Sequence, residues 1–373
     1  MPEGNWEEIR SRFPALAQVT YLNTATYGQT SNATFGAVRA HFDRRNAHAC
    51  SDFLSWFADI DRIRAKTARL INAPSGDDIA FCTTASAALS WLINGLEWKS
   101  GDRVIALSNE FPNNSYFPST LSRFGVEYIE SDWEDLDRHL NAGPVRAVFL
   151  STVNYANGFR PVLDGLAERV HRAGGLLYLD GTQSVGAVQF DVERWRPDML
   201  SVNAYKWMNS PNGAGFAYVA PALRAALHPS VVGWRSDQGW RRVDHLHHGE
   251  PVFVEAAERF EGGMLDFPSL YGFEASVDLV LELGADRVEA RVLDLAAQCC
   301  SLLEEFGGNI AHQDSAIVAA EFPGVDASAL ARELKTAGIL VSARHGRLRV
   351  STHFYNNEAD LSLLRSALSG LIR

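Results

Sequence analysis

The sequence predicts an α/β fold built on one large, mostly parallel sheet with helices on both faces. Apolar runs typical of buried strands recur about every 20 to 30 residues, and helical patterns lie between them. The chain has 373 residues, of which 46% are hydrophobic and 21% charged, so it can form two domains with substantial cores. We assign residues 18–260 to a large domain, and residues 1–17 and 261–373 to a smaller α/β domain.

The first 219 residues provide the strands of the predicted large sheet. A short helix is predicted from Asn5 until Pro14 ends it, and two longer helices with apolar residues at helical spacing are predicted over residues 31–48 and 53–70. Short apolar runs bounded by turn residues predict strands at residues 19–22, 79–82, 104–107, 126–129, 147–150, 176–179, 199–202 and 215–219.

The last third of the chain predicts the smaller domain, which combines strands with longer amphipathic helices. Before this region, two further helices are predicted between strands of the large sheet, one from residue 85 and one near Pro161. In the C-terminal region, helical patterns cover residues 269–282, 285–306, 327–336 and 358–371, and strand patterns cover residues 316–322, 339–343 and 348–351.

Charge and composition exclude several classes of partner. The net charge is −11 and the pI is near 5.5, so a nucleic-acid surface would need a local basic patch, and the sequence has none. The N-terminal segment lacks the basic and apolar regions of a signal peptide, and no apolar run reaches the ~18 residues that span a bilayer. We expect a cytoplasmic protein with no nucleic-acid or membrane partner.

The cysteines and histidines do not form a recognisable metal motif. The four cysteines have no metal-type spacing, and we expect them to be reduced thiols. His245, His247 and His248 form a cluster for which a zinc or nickel site is the alternative interpretation. No second ligand motif accompanies them, so we interpret the cluster as part of a solvated loop.

Two polar side chains follow successive apolar runs in the middle of the chain. Asp180 ends the run at 176–179, and Lys206 follows the run at 199–202. If the two runs are parallel neighbours, both side chains lie near the carboxyl edge of the sheet, where open α/β sheets bind ligands. The pair suits pyridoxal 5′-phosphate (PLP), because a lysine forms a Schiff base with the aldehyde and an acid keeps the pyridine nitrogen protonated. Taken alone, the two residues are more typical of a helix cap and a solvated lysine than of a cofactor site.

Further residues of this segment carry a family resemblance. They are Asp-Gly-Thr-Gln at 180–183, Ser201, Tyr-Lys-Trp-Met-Asn at 205–209, Gly213 and Gly215. The segment resembles the cofactor segment of the class V aminotransferases, fold-type I PLP enzymes that include cysteine desulfurases, kynureninase and isopenicillin N epimerase. The resemblance implies a fold-type I PLP-dependent transferase with a seven-stranded sheet and a smaller C-terminal domain. It implies that Lys206 is the Schiff-base lysine, that Asp180 binds the ring nitrogen and that Gln183 binds the ring hydroxyl.

Other segments extend the resemblance to the cofactor pocket. The strand at 79–82 leads through small polar residues into a helix, a turn that can bind phosphate, and the family places the PLP phosphate there. Phe111 lies in a segment similar to one of kynureninase, in which a phenylalanine stacks on the ring. The resemblance assigns further cofactor contacts to Ala85, Ser86, Ala87, Asn154, Ser201, Tyr205, Trp234 and Met264. Met264 replaces a family threonine that reaches the phosphate across a homodimer, so the implied homodimer has an altered contact there.

The resemblance also assigns a substrate pocket. Asn23 and Thr24 lie in a turn that lines this pocket in the family, and Asn154 contacts the substrate side. Arg349 holds the position of the arginine that binds the substrate carboxylate, which a planar guanidinium grips through two hydrogen bonds.

The reaction that the resemblance implies begins with loss of the Cα proton of an α-amino acid. Aminotransferase chemistry is our leading interpretation, and a C–S lyase, a kynureninase-like hydrolase and an amino-acid epimerase remain alternatives. A non-catalytic binding protein is the least favoured alternative, because Lys206 and Asp180 are both present. Residues 342–348 contain no cysteine, which argues against desulfuration through the persulfide-forming cysteine that desulfurases place there.

Overall fold

A computed structural model describes residues 6–372 and contains two sheets of different character and a short pair of strands. Asn5 and the rest of the first five residues of the segment 1–17 lie outside the described residues. The strands are β1 (Thr20–Tyr21), β2 (Ile79–Cys82), β3 (Arg103–Leu107), β4 (Glu127–Ser131), β5 (Ala147–Ser151), β6 (Leu176–Asp180), β7 (Met199–Asn203), β8 (Gly215–Val219), β9 (Asn309–Ile310), β10 (Ile317–Glu321), β11 (Ile339–Leu340), β12 (Ser342–Arg344) and β13 (Arg347–Ser351).

Helices cover both faces of the large sheet and one side of the small one. The helices are α1 (Trp6–Ser11), α2 (Asn32–His48), α3 (Phe53–Leu70), α4 (Ala85–Gly95), α5 (Pro112–Ser119), α6 (Leu136–Asn141), α7 (Leu166–Arg172), α8 (Val192–Trp195), α9 (Pro221–Ala226), α10 (Phe267–Leu283), α11 (Ala285–Glu305), α12 (Ala327–Thr336) and α13 (Glu358–Leu371). None of them, over the residues that the structure describes, is long and apolar enough to cross a membrane.

The large sheet has seven strands in the order β2-β8-β7-β6-β5-β3-β4. The neighbours from β4 to β7 are parallel, whereas β8 runs antiparallel to β7 and β2 antiparallel to β8. Strands β5 and β8 are buried along their whole length, as expected when helices cover both faces. The mostly parallel seven-stranded sheet predicted from the sequence is therefore confirmed.

The small sheet is antiparallel and has the order β12-β13-β10-β9. Its core contains Leu348 and Val350 of β13, which pack with apolar residues of α11, α12 and α13. The remaining two strands, β1 and β11, pair in parallel beside it.

Two elements make contacts across the domain boundaries that we predicted, and the boundaries stay a prediction. Strand β1 lies within the segment that we assigned to the large domain, yet it pairs with β11, and Asn23 bridges to Ser351. Helix α10, assigned to the small domain, packs through Phe273 and Val277 into the core of the large one. The predicted strand 339–343 is divided between two sheets. Helix α7 begins five residues after Pro161, following the left-handed Gly165.

Candidate active site

The parallel neighbours β6 and β7 bring Asp180 and Lys206 to one edge of the large sheet. Asp180 ends β6 opposite Ser201 of β7, and Lys206 lies in the turn that follows β7. The two residues are only 6% and 8% exposed. A Cβ atom on Gly28 would lie 1.9 Å from the carbonyl oxygen of Lys206, so the N-terminal polar turn packs directly against the lysine segment.

The amine of Lys206 is held in an environment that favours its neutral form. Burial lowers the pKa of Lys206 to about 8, with smaller contributions from the charges of Arg349 and Arg344, while Asp180 acts in the opposite direction. The Nζ atom lies 5.5 Å from the centre of the Phe111 ring. A useful fraction of the amine is therefore free base near neutral pH, as a nucleophile or proton acceptor requires.

Asp180 belongs to a buried polar network that the sequence analysis missed. Its Oδ1 accepts a hydrogen bond from Thr182 N (2.9 Å), and its Oδ2 lies 3.3 Å from Asn114 Nδ2. The same Nδ2 atom lies 3.1 Å from Oε2 of Glu110. The Oε1 atom of Glu110 accepts a hydrogen bond from the backbone N–H of Ser151, and its Oε2 atom accepts one from the Ser151 hydroxyl. Burial raises the pKa of Glu110 to about 7. A carboxylate three residues beyond the end of a buried strand was the available signal.

Aromatic rings surround the lysine. Phe111 caps the start of α5 and contacts Tyr155 edge to face, with ring centres 5.2 Å apart. Tyr205 packs against Tyr27, with ring centres 4.8 Å apart. Burial raises the pKa of Tyr205, so its hydroxyl remains protonated near neutral pH. These rings limit the access of water to the amine.

The N-terminus of α4 presents a partly free backbone. The hydroxyl of Thr84 accepts from Ala87 N (3.1 Å), and Asn203 Oδ1 accepts from Ala85 N (2.9 Å). Within residues 6–372, the N–H of Ser86 has no hydrogen-bond partner. A free N–H at the positive end of an 11-residue helix suits a phosphate group.

Arg349 is a buried cation at the end of the site nearest the small domain. Its Nη1, Nη2 and Nε atoms donate hydrogen bonds to Tyr155 O (2.5 Å), Thr26 Oγ1 (2.6 Å) and Ser342 Oγ (3.0 Å), respectively. The residue is 1% exposed, and no carboxylate of the described chain lies within salt-bridge distance of it. Burial, together with the charge of Arg344, lowers the pKa of Arg349 to about 9, which leaves it charged at neutral pH.

Comparison with known proteins agrees with this geometry. The model of the family described as Aminotransferase class-V matches residues 21–365. The chain belongs to the class V aminotransferase family. The uncharacterized aminotransferase YcbU of Bacillus subtilis is 24% identical and the alignment covers 95% of both chains. A probable cysteine desulfurase of Methanothermobacter thermautotrophicus is 25% identical, with 97% of both chains covered.

Solved structures of the family have the same fold. The apo cysteine desulfurase from Thermococcus onnurineus NA1 matches with a TM-score of 0.88 at 19% identity, covering 98% of both chains. The cystine C–S lyase C-DES, in complex with its reaction product cysteine persulfide, matches with a TM-score of 0.86 at 21% identity, covering 96% of this chain and 99% of that one. The predicted fold-type I architecture is confirmed, and PLP is the cofactor of this class V enzyme.

The residues of the site fit PLP. Lys206 offers an amine of lowered pKa, Asp180 a buried carboxylate, and Ser86 an unpaired N–H at a helix N-terminus. We expect these groups to hold the aldehyde carbon, the ring nitrogen and the phosphate. The ring of Phe111 lies close enough to the amine to contact a planar ligand bound there.

Two side chains that we predicted to contact the cofactor already form hydrogen bonds within the protein. Gln183 Oε1 accepts from Trp207 Nε1 (2.8 Å), which fixes the orientation of the amide, and its Nε2 donates to Ala25 O (3.0 Å). Asn154 Nδ2 donates to Asn109 O (2.9 Å). Each amide nitrogen keeps one N–H for a ligand, so the contacts assigned to Gln183 and Asn154 stay predictions.

Three predicted site residues form contacts with other parts of the protein, and their roles stay predictions. Thr24 is fully buried against the hydroxyl of Tyr355, whereas Thr26 of the same turn contacts Arg349. Ser201 is fully buried and bonded to a tyrosine inside the sheet, whereas Asn203, two residues later, reaches the start of α4. The third is Trp234, which packs on Phe57 and Trp240, so its role in a neighbouring subunit stays a prediction.

The remaining predicted residues are Asn23, Met264 and the histidine cluster. Asn23 is half-buried and accepts a hydrogen bond from the hydroxyl of Thr26, which in turn accepts one from Arg349. Met264 is 57% exposed and lines a cavity with Ala87 of the α4 start. In the described part of the chain, no group of three or more His, Cys, Asp or Glu residues is arranged to bind a metal ion.

Proposed function

We propose that this class V enzyme uses PLP to transform an α-amino acid at its Cα atom, with transamination as the reaction. The observation that carries the proposal is the buried guanidinium of Arg349, which has three neutral acceptors and no carboxylate partner among residues 6–372. An isolated buried cation is costly unless an anion pairs with it. The α-carboxylate of a substrate supplies that anion.

The residues around the amine suit proton transfer at Cα. PLP supplies an electron sink for the carbanion that develops there. Arg349 would orient the substrate, and Lys206 Nζ, with its lowered pKa, would accept the Cα proton and hold it for return to the substrate side. Asp180 would hold the ring nitrogen through a carboxylate already oriented by Thr182 and Asn114. The rings of Phe111 and its neighbours exclude water from these steps.

A C–S lyase is the second candidate, supported by the similarity to the cystine C–S lyase. This reaction shares the first proton transfer and differs in the loss of a β-substituent. A desulfurase relay through a protein persulfide is not supported, since the turn 345–346 has no cysteine. The thiols of Cys82 and Cys299 are buried, and burial raises the pKa of both.

Replacement of the lysine tests the core of the proposal. In Lys206→Ala, borohydride treatment should no longer attach PLP covalently to the protein, because the amine that binds the aldehyde is gone. Mass spectrometry of the digested protein provides the measurement. Lys335→Ala, on the exposed face of α12, is the matched control and should keep the label on the peptide that contains Lys206. Covalent PLP at another position would contradict the proposal.

The reaction is then identified from its products. The wild-type enzyme is incubated with single amino acids, and keto acid, pyruvate with sulfide, and racemised amino acid are measured separately. Keto acid with cofactor converted to its amine form supports transamination. Pyruvate with sulfide from cysteine or cystine favours the lyase, and racemisation alone contradicts both.

A further inference from the structure

The hairpin formed by β12 and β13 carries three arginines on one face. Arg344 lies directly opposite Arg347 in the antiparallel pair, and Ser342 opposite Arg349. Directly opposed residues share a face, and residues two apart along a strand do so as well. The other face of β13 is apolar and buried in the core of the small domain. The three arginine side chains therefore lie on the opposite face of the hairpin, from which Arg349 contacts Tyr155 and Thr26.

A tight turn joins the two strands of this hairpin and contacts the aromatic residues of the site. His345 and Gly346 form the two-residue turn with φ values of 46° and 77°, the conformation of the rigid type I′ hairpin loop. The side chain of His345 is hydrogen-bonded to the hydroxyl of Tyr155 (2.8 Å), and the ring of Tyr155 contacts Phe111. Arg344 immediately precedes the turn, so its backbone is anchored to the aromatic wall beside Lys206.

The three arginines differ in their partners. Arg347 lies 3.6 Å from the carboxylate of Glu321, and Arg349 is bound by three neutral acceptors. Arg344 is half-buried and donates to the carbonyl oxygen of Ala343 (2.7 Å). No carboxylate of residues 6–372 lies within salt-bridge distance of it. Its charge is close enough to lower the pKa of both Lys206 and Arg349.

Two guanidinium groups lie close enough to Lys206 for their charges to act on it. They are those of Arg349 and Arg344, whereas Asp180 is the carboxylate that acts on the lysine. Glu110 lies behind Asp180 and is bound by a serine and an asparagine. An amino acid with a neutral side chain brings one carboxylate, which Arg349 takes. The half-buried guanidinium of Arg344 then remains without an anionic partner among residues 6–372, and a second negative group on the substrate can pair with it.

We propose that Arg344 binds an acidic group on the substrate side chain, so that the enzyme acts on amino acids with a carboxylate or a similar anion there. This inference rests on the proposed function, because it requires the α-carboxylate to occupy Arg349. It makes Arg344 a residue that determines specificity for the substrate side chain.

Matched acid and amide pairs test the inference. Wild-type holoenzyme is titrated with aspartate, asparagine, glutamate and glutamine, and kcat/KM and the change in cofactor absorbance are measured for each. We expect each acid to be preferred over its amide by roughly 10- to 100-fold, as charge-assisted hydrogen bonds give. In Arg344→Gln the preference should disappear, chiefly through KM, and Arg344→Lys should retain most of it.

Arg347→Gln is the control, since this arginine lies on the same face of the hairpin and is paired with Glu321. It should keep the wild-type preference. Equal use of acids and amides by the wild type would overturn the inference while the proposed function stands. A preference that survives Arg344→Gln, or that is lost equally in the lysine variant, would also overturn it. No response to any amino acid would overturn the proposed function itself.

Discussion

Two buried carboxylates meet at a single amide nitrogen behind the cofactor position. Asn114 Nδ2 lies 3.1 Å from Glu110 and 3.3 Å from Asp180, while Asn114 Oδ1 is buried and has no hydrogen-bond partner among residues 6–372. Two ionised acids this close repel each other in a medium of low dielectric constant. One of them therefore holds its proton more tightly, and burial assigns that role to Glu110, whose pKa rises to about 7.

This proton makes stability depend on pH. The pKa of Glu110 rises from 4.5 to about 7 on folding, so its favourable contribution is complete below pH 4.5 and is lost as pH rises through 7. The loss amounts to roughly 3 kcal/mol. Glu110→Gln removes the titration. The thermal midpoint of the cofactor-free variant minus that of the cofactor-free wild type should therefore be larger at pH 8 than at pH 5. Differential scanning calorimetry at both values measures this change.

A neighbouring acid serves as the control for this prediction. Glu130 is exposed on β4, and Glu130→Gln should leave the difference from wild type the same at both pH values. A difference for Glu110→Gln that is also constant would show that the carboxyl group does not titrate between pH 5 and pH 8, which would contradict a pKa of about 7.

At the scale of elements, the junction between β7 and α4 forms the expected phosphate site. Asn203, the last residue of β7, accepts the N–H of Ala85, and the next N–H of α4, that of Ser86, is free. An isolated helix N-terminus favours a negative charge on a neighbouring side chain. A bound phosphate reverses that preference, because two anions then share one site.

The variant Asn203→Asp separates these two effects. In the cofactor-free protein the new carboxylate still accepts from Ala85 and faces the helix dipole, so the thermal midpoint should stay the same or rise. The affinity for PLP should fall about tenfold or more through repulsion of the phosphate. Fluorescence titration of the cofactor-free protein measures the affinity, and Asn203→Ala controls for the lost amide. Unchanged affinity in the aspartate variant would exclude a phosphate at this junction.

The same junction shows what strand periodicity can predict. Ser201 and Asn203 lie on one face of β7, so a period of two residues cannot distinguish them. The two residues differ in their position along the strand. The hydroxyl of Ser201 is hydrogen-bonded to Tyr178 OH (2.6 Å) within the sheet, whereas Asn203 is the last residue of β7. Asp180 and Lys206 were predictable because each follows an apolar strand and the two strands are consecutive parallel neighbours.

At the scale of the whole molecule, contacts between distant segments decided what the sequence could not. Thr26, rather than Thr24, reaches Arg349, because the turn after β1 is positioned by pairing with strands more than 300 residues later in the chain. An amphipathic helix such as α10 can cover either domain, and only the packing of its apolar face assigns it to the large one. The class of fold follows from the order of elements, whereas domain boundaries follow from these contacts.

The surface beside the phosphate site contains exposed apolar side chains that we expect a second copy of the chain to cover. Val231, Val232 and Met264 are 47%, 52% and 57% exposed, and two of them line the cavity shared with Ala87 at the start of α4. Apolar side chains grouped on a rim of this kind are typical of an interface. A homodimer formed through this surface would complete the phosphate pocket.

The variant Met264→Glu tests this arrangement. A charge buried without a partner in a subunit interface strongly disfavours association, so we expect the wild-type protein to elute as a dimer and the variant to shift towards monomer. Light scattering after size-exclusion chromatography measures the mass, and the affinity for PLP should fall together with the dimer fraction. Leu363→Glu, at a position 54% exposed on α13, is the matched control and should remain dimeric. A variant that stays dimeric with unchanged PLP affinity would place the interface elsewhere on the molecule.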